Sequence, residues 1–380
     1  MSLPEVNSPS ITLTTPSPSE QLEIWTATHA PWGPGLTLQQ YIDREEYLVN
    51  IGLARNGGLS PWMLTTTDSP RSVLSSCETL RKRVIYRDPK TGTVKEVLGH
   101  GVASVFTYDQ CRGKGYASKM MQLLGEHLAA QQAAKDGDAQ LSVLYSDIGK
   151  NFYARSGWIP HGNVHFAIPV VDTQKIFQLP ANVQEITDAD IPALAKRDEE
   201  LLRQEVAKPN GDKVRVAFLP DVDTWEWQYR REDFMRRHIH GRAPTVRGAV
   251  YTPADKPAAR VWALWARTRY GGSEGYPYSN IMHFLRFVVE DEEAITDDEL
   301  AEALKGIFAV ANKESIEWGC TRIDMWNPSE RVKKLVNGPL TDLKAGWVVR
   351  ESDNIASLKW FGDERDEDIE WVANEKYVWC

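Results

Sequence analysis

Residues 102–128, VASVFTYDQCRGKGYASKMMQLLGEHL, pass from a β-branched strand through a loop with two glycines into an amphipathic helix. In this arrangement the free N–H groups of the first helical turn, the helix dipole and the side chains of Arg112 and Lys114 face one point. Gly113 and Gly115 allow the backbone to approach a ligand closely. The segment therefore predicts a phosphate site, and a tight turn with solvated charges is the alternative.

The nucleotide-binding motifs with related glycine patterns do not match this loop. It lacks the Gly-Lys-Ser/Thr ending of a Walker loop and the third glycine of a dinucleotide-binding fingerprint. The elements before it are predicted to be two helices and an antiparallel run. Ser17 with Glu20 and Thr37 with Gln40 have the spacing of capping boxes, and strands are predicted over residues 61–66, 77–86 and 94–107.

Length and charge limit the possible classes of protein. The 380 residues are more than twice the ~150 of an average domain, so two domains are expected. The formal net charge is −9, and residues 1–170 carry 15 basic and 15 acidic side chains, so the excess acid lies in the second half. We expect no nucleic-acid partner, and we expect the acidic half to attract cations or to aid solubility.

Cysteine usage and hydropathy indicate a reducing compartment. The four cysteines are scattered, without the paired spacing of a zinc site, so no metal is expected. No stretch approaches the ~20 apolar residues of a membrane span, and the first 20 residues lack a secretory pattern. We therefore expect a cytoplasmic location and no membrane partner.

Two motifs carry a family resemblance. Residues 112–117, RGKGYA, match the Arg/Gln-x-x-Gly-x-Gly/Ala signature of the Gcn5-related N-acetyltransferase (GNAT) superfamily, and residues 147–158, DIGKNFYARSGW, resemble its second signature. The resemblance implies an α/β (α+β) fold with a mixed central sheet flanked by helices. It also implies acetyl-CoA as co-substrate, with pantetheine bound along the backbone near Val105 and Thr107. The pyrophosphate would be held by Arg112, Gly113, Lys114, Gly115, Tyr116, Ala117 and Ser118.

The resemblance gives Tyr153 a catalytic role. Its phenol, with an ordinary pKa of ~10, is protonated at neutral pH and able to donate to the CoA thiolate. The alternative is a packing aromatic with its hydroxyl at the surface. Many family members have an Asn that holds pantetheine at the end of the preceding strand, where this chain has Ser146-Asp147.

The second half resembles a second GNAT unit without a CoA loop. After a predicted strand at 281–289 comes Glu290-Asp291-Glu292-Glu293, which would repel a pyrophosphate. We predict an acetyl-CoA-binding catalytic domain over 1–170 and a degenerate GNAT-like domain over 181–380, with an unrelated α+β cap as the alternative. The acidic runs at 290–293 and 363–370 are predicted to be solvated, and terminal strands are predicted at 356–360 and 377–379.

Several stretches narrow the resemblance to fungal lysine N6-acetyltransferases, among them residues 60–64, SPWML, and 145–149, YSDIG. This implies acetyl transfer from acetyl-CoA to free L-lysine in a ternary complex. Candidate general bases are Glu78, His100 and the terminal carboxylate of Cys380, each of which has a structural alternative. Two other functions stay open: transfer to another amine (a polyamine, an aminoglycoside or a protein lysine), and a non-catalytic acyl-CoA sensor.

Overall fold

The computed structural model describes residues 3–68, 71–131, 139–171, 179–268 and 280–379. The first half contains β1 (Ile11–Thr14), α1 (Pro18–Trp32), α2 (Leu38–Leu48), β2 (Leu59–Thr66), β3 (Ser75–Arg87), β4 (Val94–Thr107), α3 (Tyr116–Gln131), β5 (Ala139–Ser146), α4 (Asn151–Ala154), β6 (Ile159–Pro160) and β7 (Val164–Pro169). The second contains β8 (Val183–Ile186), α5 (Ile191–Ala207), β9 (Val214–Phe218), α6 (Val222–His240), β10 (Gly248–Tyr251), β11 (Val261–Thr268), β12 (Asn280–Val289), α7 (Asp297–Glu317), β13 (Cys320–Trp326), α8 (Glu330–Asn337), β14 (Gly346–Val349), β15 (Ile355–Trp360) and β16 (Ile369–Trp371).

The first sheet has the strand order β1-β2-β3-β4-β5-β15-β6, with β9 paired to the far part of β3 and β16 paired to β9. β4 and β5 run parallel, and their ladder ends at Val102 and Leu144 although β4 continues to Thr107. Antiparallel neighbours flank this pair on both sides. The two strands therefore part at their carboxyl ends and open a cleft in the sheet.

The second sheet repeats this pattern with the order β14-β7-β13-β12-β11-β10-β8. Here β12 and β13 are the parallel pair, and their ladder ends at Phe284 and Met325. The helix α7 connects them, as α3 connects β4 to β5. The two halves thus share one topology, which supports the degenerate repeat, and that repeat stays a prediction.

Each sheet contains strands from both halves of the chain: β9, β15 and β16 join the first sheet, and β7 joins the second. β15 lies between β5 and β6 in the first sheet, and β7 lies between β13 and β14 in the second. A common apolar cluster joins the sheets, with members from β5 (Leu141, Val143) and from β11 (Trp262, Leu264). Both sheets contain strands from before residue 170 and from after residue 181. The predicted division of the chain into two domains at this point stays a prediction.

The helices α1 and α2 begin where the capping-box residues predicted. Ser17 with Glu20 and Thr37 with Gln40 make reciprocal capping boxes at α1 and α2. At the other end of the chain, the strand predicted over 377–379 is wrong, because Lys376–Val378 forms a short 3₁₀ helix. The Tyr377 side chain is fully buried and donates a hydrogen bond to the Phe218 carbonyl at 2.7 Å, which holds the chain in a turn.

Glu290 corrects the expectation that residues 290–293 are solvated. It is only 8% exposed and accepts hydrogen bonds from Arg197 Nε at 3.0 Å and Trp262 Nε1 at 3.1 Å. Arg260 adds an ion pair at 2.7 Å. A buried carboxylate needs such partners, so this residue is part of the structural core, whereas Asp291, Glu292 and Glu293 are exposed.

A buried ionic network fixes the orientation of α6. Arg247 pairs with Glu232 at 3.2 Å and with Asp233 at 2.7 Å, and all three side chains are at most 2% exposed. Arg267 pairs with Glu232 at 3.2 Å from the neighbouring strand. Because Glu232 and Asp233 are held in this way, the position of α6 against the second sheet is firmly defined.

Candidate active site

A cavity of about 760 Å³ lies where β4 and β5 part. Its walls come from α1, α2, β3, β4, the start of α3, α4 and α6, and from Trp379 near the end of the chain. Helices from both halves thus enclose the cleft of the first sheet. Within the described residues, no helix combines the length and apolar character needed to cross a bilayer.

The loop before α3 has the backbone conformation that its glycines predict. Gly113 and Gly115 have φ values of 72° and 85°, in the left-handed region that side chains disfavour. A Cβ built on Gly113 would meet nothing within 4 Å, so this part of the loop is open to a ligand. Together with the start of α3, the loop has the geometry of an anion cradle, which fits the pyrophosphate of CoA.

The structure brings most of the predicted loop residues to the cavity. All of residues 112–118 line it except Lys114. Arg112 is partly engaged, because its Nε donates to the Thr107 carbonyl at 3.1 Å and its Nη1 pairs with Asp109 at 2.8 Å. Tyr116 is buried and its hydroxyl donates to the Pro4 carbonyl, so it can offer only its backbone to a phosphate.

The end of β4 lacks a paired strand on the side of β5, although the Thr107 carbonyl already accepts from Arg112 Nε. Val105 and Thr107 both line the cavity and lie beyond the last β4–β5 pair. A β-bulge at residues 103–105 shifts the register against β3, and Ser104 has a positive φ of 54°. Of the two residues considered in place of the family's Asn, Asp147 lines the cavity, whereas Ser146 donates to the Gly149 carbonyl at 2.7 Å.

Tyr153 lies on the short helix α4 and faces the cavity. It is 8% exposed and packs edge-to-face on Phe152, with 4.9 Å between the ring centroids. Burial, with the nearby Cys77 and Asp147, raises the pKa of Tyr153 well above its usual range. The phenol is therefore protonated across the physiological range and has a proton to donate.

Glu78 lies on β3 and lines the same cavity. Burial and the negative charge of Glu45 raise its pKa to about 7, while a hydrogen bond from the Ser104 hydroxyl and the charges of Arg231 and Arg44 act in the opposite direction. The strained backbone of Ser104 thus places a hydroxyl on the carboxylate. A carboxyl with this pKa can take and release a proton near neutral pH.

The other two candidate bases are placed differently. His100 is buried within the paired part of β4, opposite Arg81 and Ser142, and it does not line the cavity. Burial lowers its pKa to about 4, so it is neutral at physiological pH. Cys380 lies outside the described residues, although the preceding Trp379 lines the cavity.

Several residues of the cavity were not predicted as site residues from the sequence, among them two on α2 and two on α6. Arg44 and Glu45 come from α2, and Trp227 and Arg231 come from α6. The aromatic and charged sequence of α6, VDTWEWQYRREDFMRRHIH, is unusual for a helix, but no local signal places it against β3. Glu45, Arg44 and Arg231 bring charges of both signs close to Glu78.

The cleft between β4 and β5, the glycine loop before α3 and the order of the strands and helices are typical of the GNAT fold. The family model described as the LYC1 GNAT-like C-terminal domain matches residues 165–380, which is more than half of the chain. The chain therefore belongs to the LYC1-like GNAT family, within the Gcn5-related N-acetyltransferases. The predicted superfamily and the predicted mixed α/β fold class are confirmed.

Two fungal proteins are similar to this chain. A lysine acetyltransferase of Yarrowia lipolytica is 24% identical over 270 residues, which cover 61% of this chain and 68% of that protein. The uncharacterized protein YGR111W of Saccharomyces cerevisiae is 24% identical over 409 residues, covering 94% of this chain and 95% of that protein. The second relative thus extends over nearly the full length, including both sheets.

Solved structures share the fold at low identity. A probable N-acyltransferase from Enterococcus faecalis has a TM-score of 0.54 at 12% identity, over 92% of this chain and 72% of that chain. Saccharomyces cerevisiae N-myristoyltransferase with bound myristoyl-CoA has a TM-score of 0.52 at 10% identity, over 92% and 79%. A GCN5-related N-acetyltransferase from Anabaena variabilis has a TM-score of 0.50 at 14% identity, over 93% and 73%. These likenesses concern the fold alone.

Proposed function

We propose that the protein transfers the acetyl group of acetyl-CoA to the N6-amine of free L-lysine, in a ternary complex. One observation carries the proposal: a single cavity joins the glycine loop and Tyr153 to Glu78, whose carboxyl has a pKa of about 7. The Yarrowia lipolytica relative, which is named a lysine acetyltransferase, supports the choice of acceptor. A cytoplasmic location stays a prediction.

Glu78 would prepare the nucleophile. A lysine side chain has a pKa of ~10.4, so removing its proton at pH ~7.4 costs about 4 kcal/mol and calls for a base. The ionised Glu78 carboxylate accepts the proton from the N6-ammonium as the amine approaches the thioester. Its raised pKa narrows the gap between the two groups and so favours this transfer.

Tyr153 would complete the exchange at sulfur. The amine nitrogen forms a bond to the acetyl carbonyl carbon, and the bond from that carbon to sulfur breaks with its electron pair remaining on sulfur. The Tyr153 hydroxyl then donates its proton to the departing thiolate. The product amide loses its second proton to solvent, Glu78 releases to solvent the proton that it accepted, and the phenolate of Tyr153 is reprotonated from solvent.

The loop residues would hold the co-substrate. The backbone of Gly113, Gly115 and the start of α3 is suited to the pyrophosphate, and the edge of β4 at Val105 and Thr107 is suited to pantetheine. Among the described residues, no group of three His, Cys, Asp or Glu side chains could hold a metal ion.

Mass spectrometry of the products tests the proposal. The protein is incubated with acetyl-CoA and, separately, L-lysine, spermidine, kanamycin and a lysine-containing peptide. We expect N6-acetyl-L-lysine as the main product. If another amine is acetylated but lysine is not, L-lysine is not the acceptor. If none of the amines is acetylated, the proposed acetyltransferase activity is wrong.

A further inference from the structure

Charges of both signs line the part of the cavity around Glu78. The same cavity is lined by two guanidinium groups and two carboxyl groups: those of Arg44 and Arg231, and those of Glu45 and Glu78. Each of the other three acts electrostatically on Glu78. Such an arrangement differs from a site for a simple polycation, which would be lined by acid alone.

Arg44 holds Glu45 in the cavity wall. The Arg44 side chain is almost fully buried, its Nη1 donates to the Trp32 carbonyl at 3.0 Å, and its Nε donates to Glu45 Oε1 at 2.8 Å. Its guanidinium also lies 4.6 Å from the centroid of the Tyr41 ring. Because Arg44 is fixed on several sides, the Glu45 carboxylate is presented in a defined position.

Arg231 reaches the cavity from the opposite helix. Its guanidinium lies 4.7 Å from the centroid of the Trp379 ring. Glu232 and Asp233, the next two residues of α6, are locked to Arg247 on the other side of the helix. Arg231 is therefore carried on a rigid element, and Trp227 one turn earlier lines the same cavity.

Apolar side chains accompany these charges. Leu48, Leu80 and Trp227 belong to one apolar cluster and all line the cavity. A chain of four methylene groups needs such a surface, because burying it removes apolar area from water. The cavity thus combines a cation, an anion and an apolar strip with the base.

We propose that Arg231 binds the α-carboxylate of the acceptor and that Glu45 binds its α-ammonium group. The site would then select a free amino acid over a plain diamine or polyamine. This inference rests on the proposed function and names the groups that give it specificity. A guanidinium pairs well with a carboxylate, whereas an ammonium in the same place would be repelled by Arg231.

Matched acceptors test the inference with the unmodified protein. Cadaverine is lysine without its carboxylate, and 6-aminohexanoate is lysine without its α-amine. We expect kcat/KM to be at least tenfold higher for L-lysine than for either compound, because each lacks one charged contact. Cadaverine used as well as L-lysine would overturn the role of Arg231.

Variants then assign each contact. Arg231→Gln should lower kcat/KM for L-lysine at least tenfold, mainly through KM, and change it less than threefold for cadaverine. Glu45→Gln should lower the value for L-lysine but leave 6-aminohexanoate within threefold. Arg237→Gln, an exposed position of α6, should leave all three acceptors unchanged.

The outcomes separate this inference from the proposed function. Equal losses for L-lysine and cadaverine in Arg231→Gln would overturn the inference, while turnover of lysine by the unmodified protein would still support the function. If Arg231→Gln no longer binds acetyl-CoA, Arg231→Lys decides: it should bind acetyl-CoA and show an intermediate preference for lysine. An unaltered preference in Arg231→Lys would also count against the inference.

Discussion

At the scale of single residues, burial acts on Glu78 and Tyr153 in the same direction with opposite consequences. Burial disfavours the charged form of any acid, so both pKa values rise. For the carboxyl, the rise brings the pKa into the range where a base is useful. For the phenol, the rise ensures that a proton is present when the thiolate leaves.

Glu78 gives the first prediction, which concerns pH. Because the base must be ionised and its pKa is raised to about 7, kcat/KM should increase as pH rises through about 7 and level off above it. Glu78→Gln should reduce kcat ~10²–10⁴-fold, and kcat/KM of this variant should no longer rise with pH in this range. Glu46→Gln, an exposed neighbour of Glu45 on α2, is the control. If kcat/KM of Glu78→Gln still rises with pH through about 7, another group is the general base.

Tyr153 gives the second prediction. Tyr153→Phe removes the donated proton but keeps the aromatic ring that packs on Phe152. Turnover should fall at least tenfold, while the Kd for acetyl-CoA measured by calorimetry should stay within twofold. Phe152→Leu, which alters the packing on Tyr153 and part of the cavity wall but leaves the hydroxyl in place, should reduce turnover less. An unchanged rate in Tyr153→Phe would remove the general-acid assignment.

At the scale of elements, the strand–loop–helix unit of β4 and α3 occurs again as β12 and α7 with different chemistry. In the second unit, Thr296 caps α7 by accepting from the Glu299 N–H at 3.2 Å, and Glu299 in turn accepts from the Thr296 N–H at 2.8 Å. Arg331 pairs with Glu292 at 2.8 Å. Protein groups therefore already accept from the Thr296 and Glu299 N–H groups at the start of α7, which supports the prediction of a degenerate unit without a CoA loop.

The glycine loop gives the third prediction. Gly115→Asp should abolish acetyl-CoA binding, because Gly115 has a φ of 85° and the new carboxylate would lie beside the phosphates. A Cβ there would also contact Val6 at 3.5 Å. Gly115→Asn tests the backbone effect without the charge and should bind more tightly than Gly115→Asp.

Gly211→Asp serves as the distant control for this prediction. Gly211 has a positive φ of 56°, and its built Cβ meets nothing within 4 Å. The substitution introduces the same side chain and a similar strain outside the cavity, so it should leave the Kd for acetyl-CoA unchanged. If Gly115→Asp also bound with undiminished affinity, the loop would not be the phosphate site.

At the scale of the whole molecule, the exchange of β7 and β15 makes each sheet depend on the other half. Ile355, Ala356 and Leu358 of β15 are at most 1% exposed in the first sheet. Without that strand, β5 and β6 would lose their shared neighbour, and the apolar cluster that contains residues of β5 and β11 would lose Ala356 and Leu358. The fold therefore couples the first half of the chain to the second half.

A fragment experiment gives the fourth prediction. Residues 1–170 expressed alone should neither bind acetyl-CoA nor unfold cooperatively, because β15 is missing and β7 has no sheet to join. Coexpression with residues 171–380 should restore both properties, as measured by calorimetry and thermal denaturation followed by circular dichroism. A fragment 1–170 that binds acetyl-CoA with the affinity of the full chain would contradict this dependence.

The sequence by itself determined the features that depend on neighbours within a few residues. The caps of α1 and α2 and the left-handed glycines before α3 follow from short-range hydrogen bonding and backbone sterics, and Tyr153 was located by its place in a short motif. Only the tertiary structure decided that β15 lies between β5 and β6, that Glu78 rather than His100 faces the cavity, and that Arg231 approaches Glu78. Alternating polarity tells which face a strand buries but not which strand lies beside it, so contacts between residues more than a hundred positions apart are decided by the packing of the whole chain.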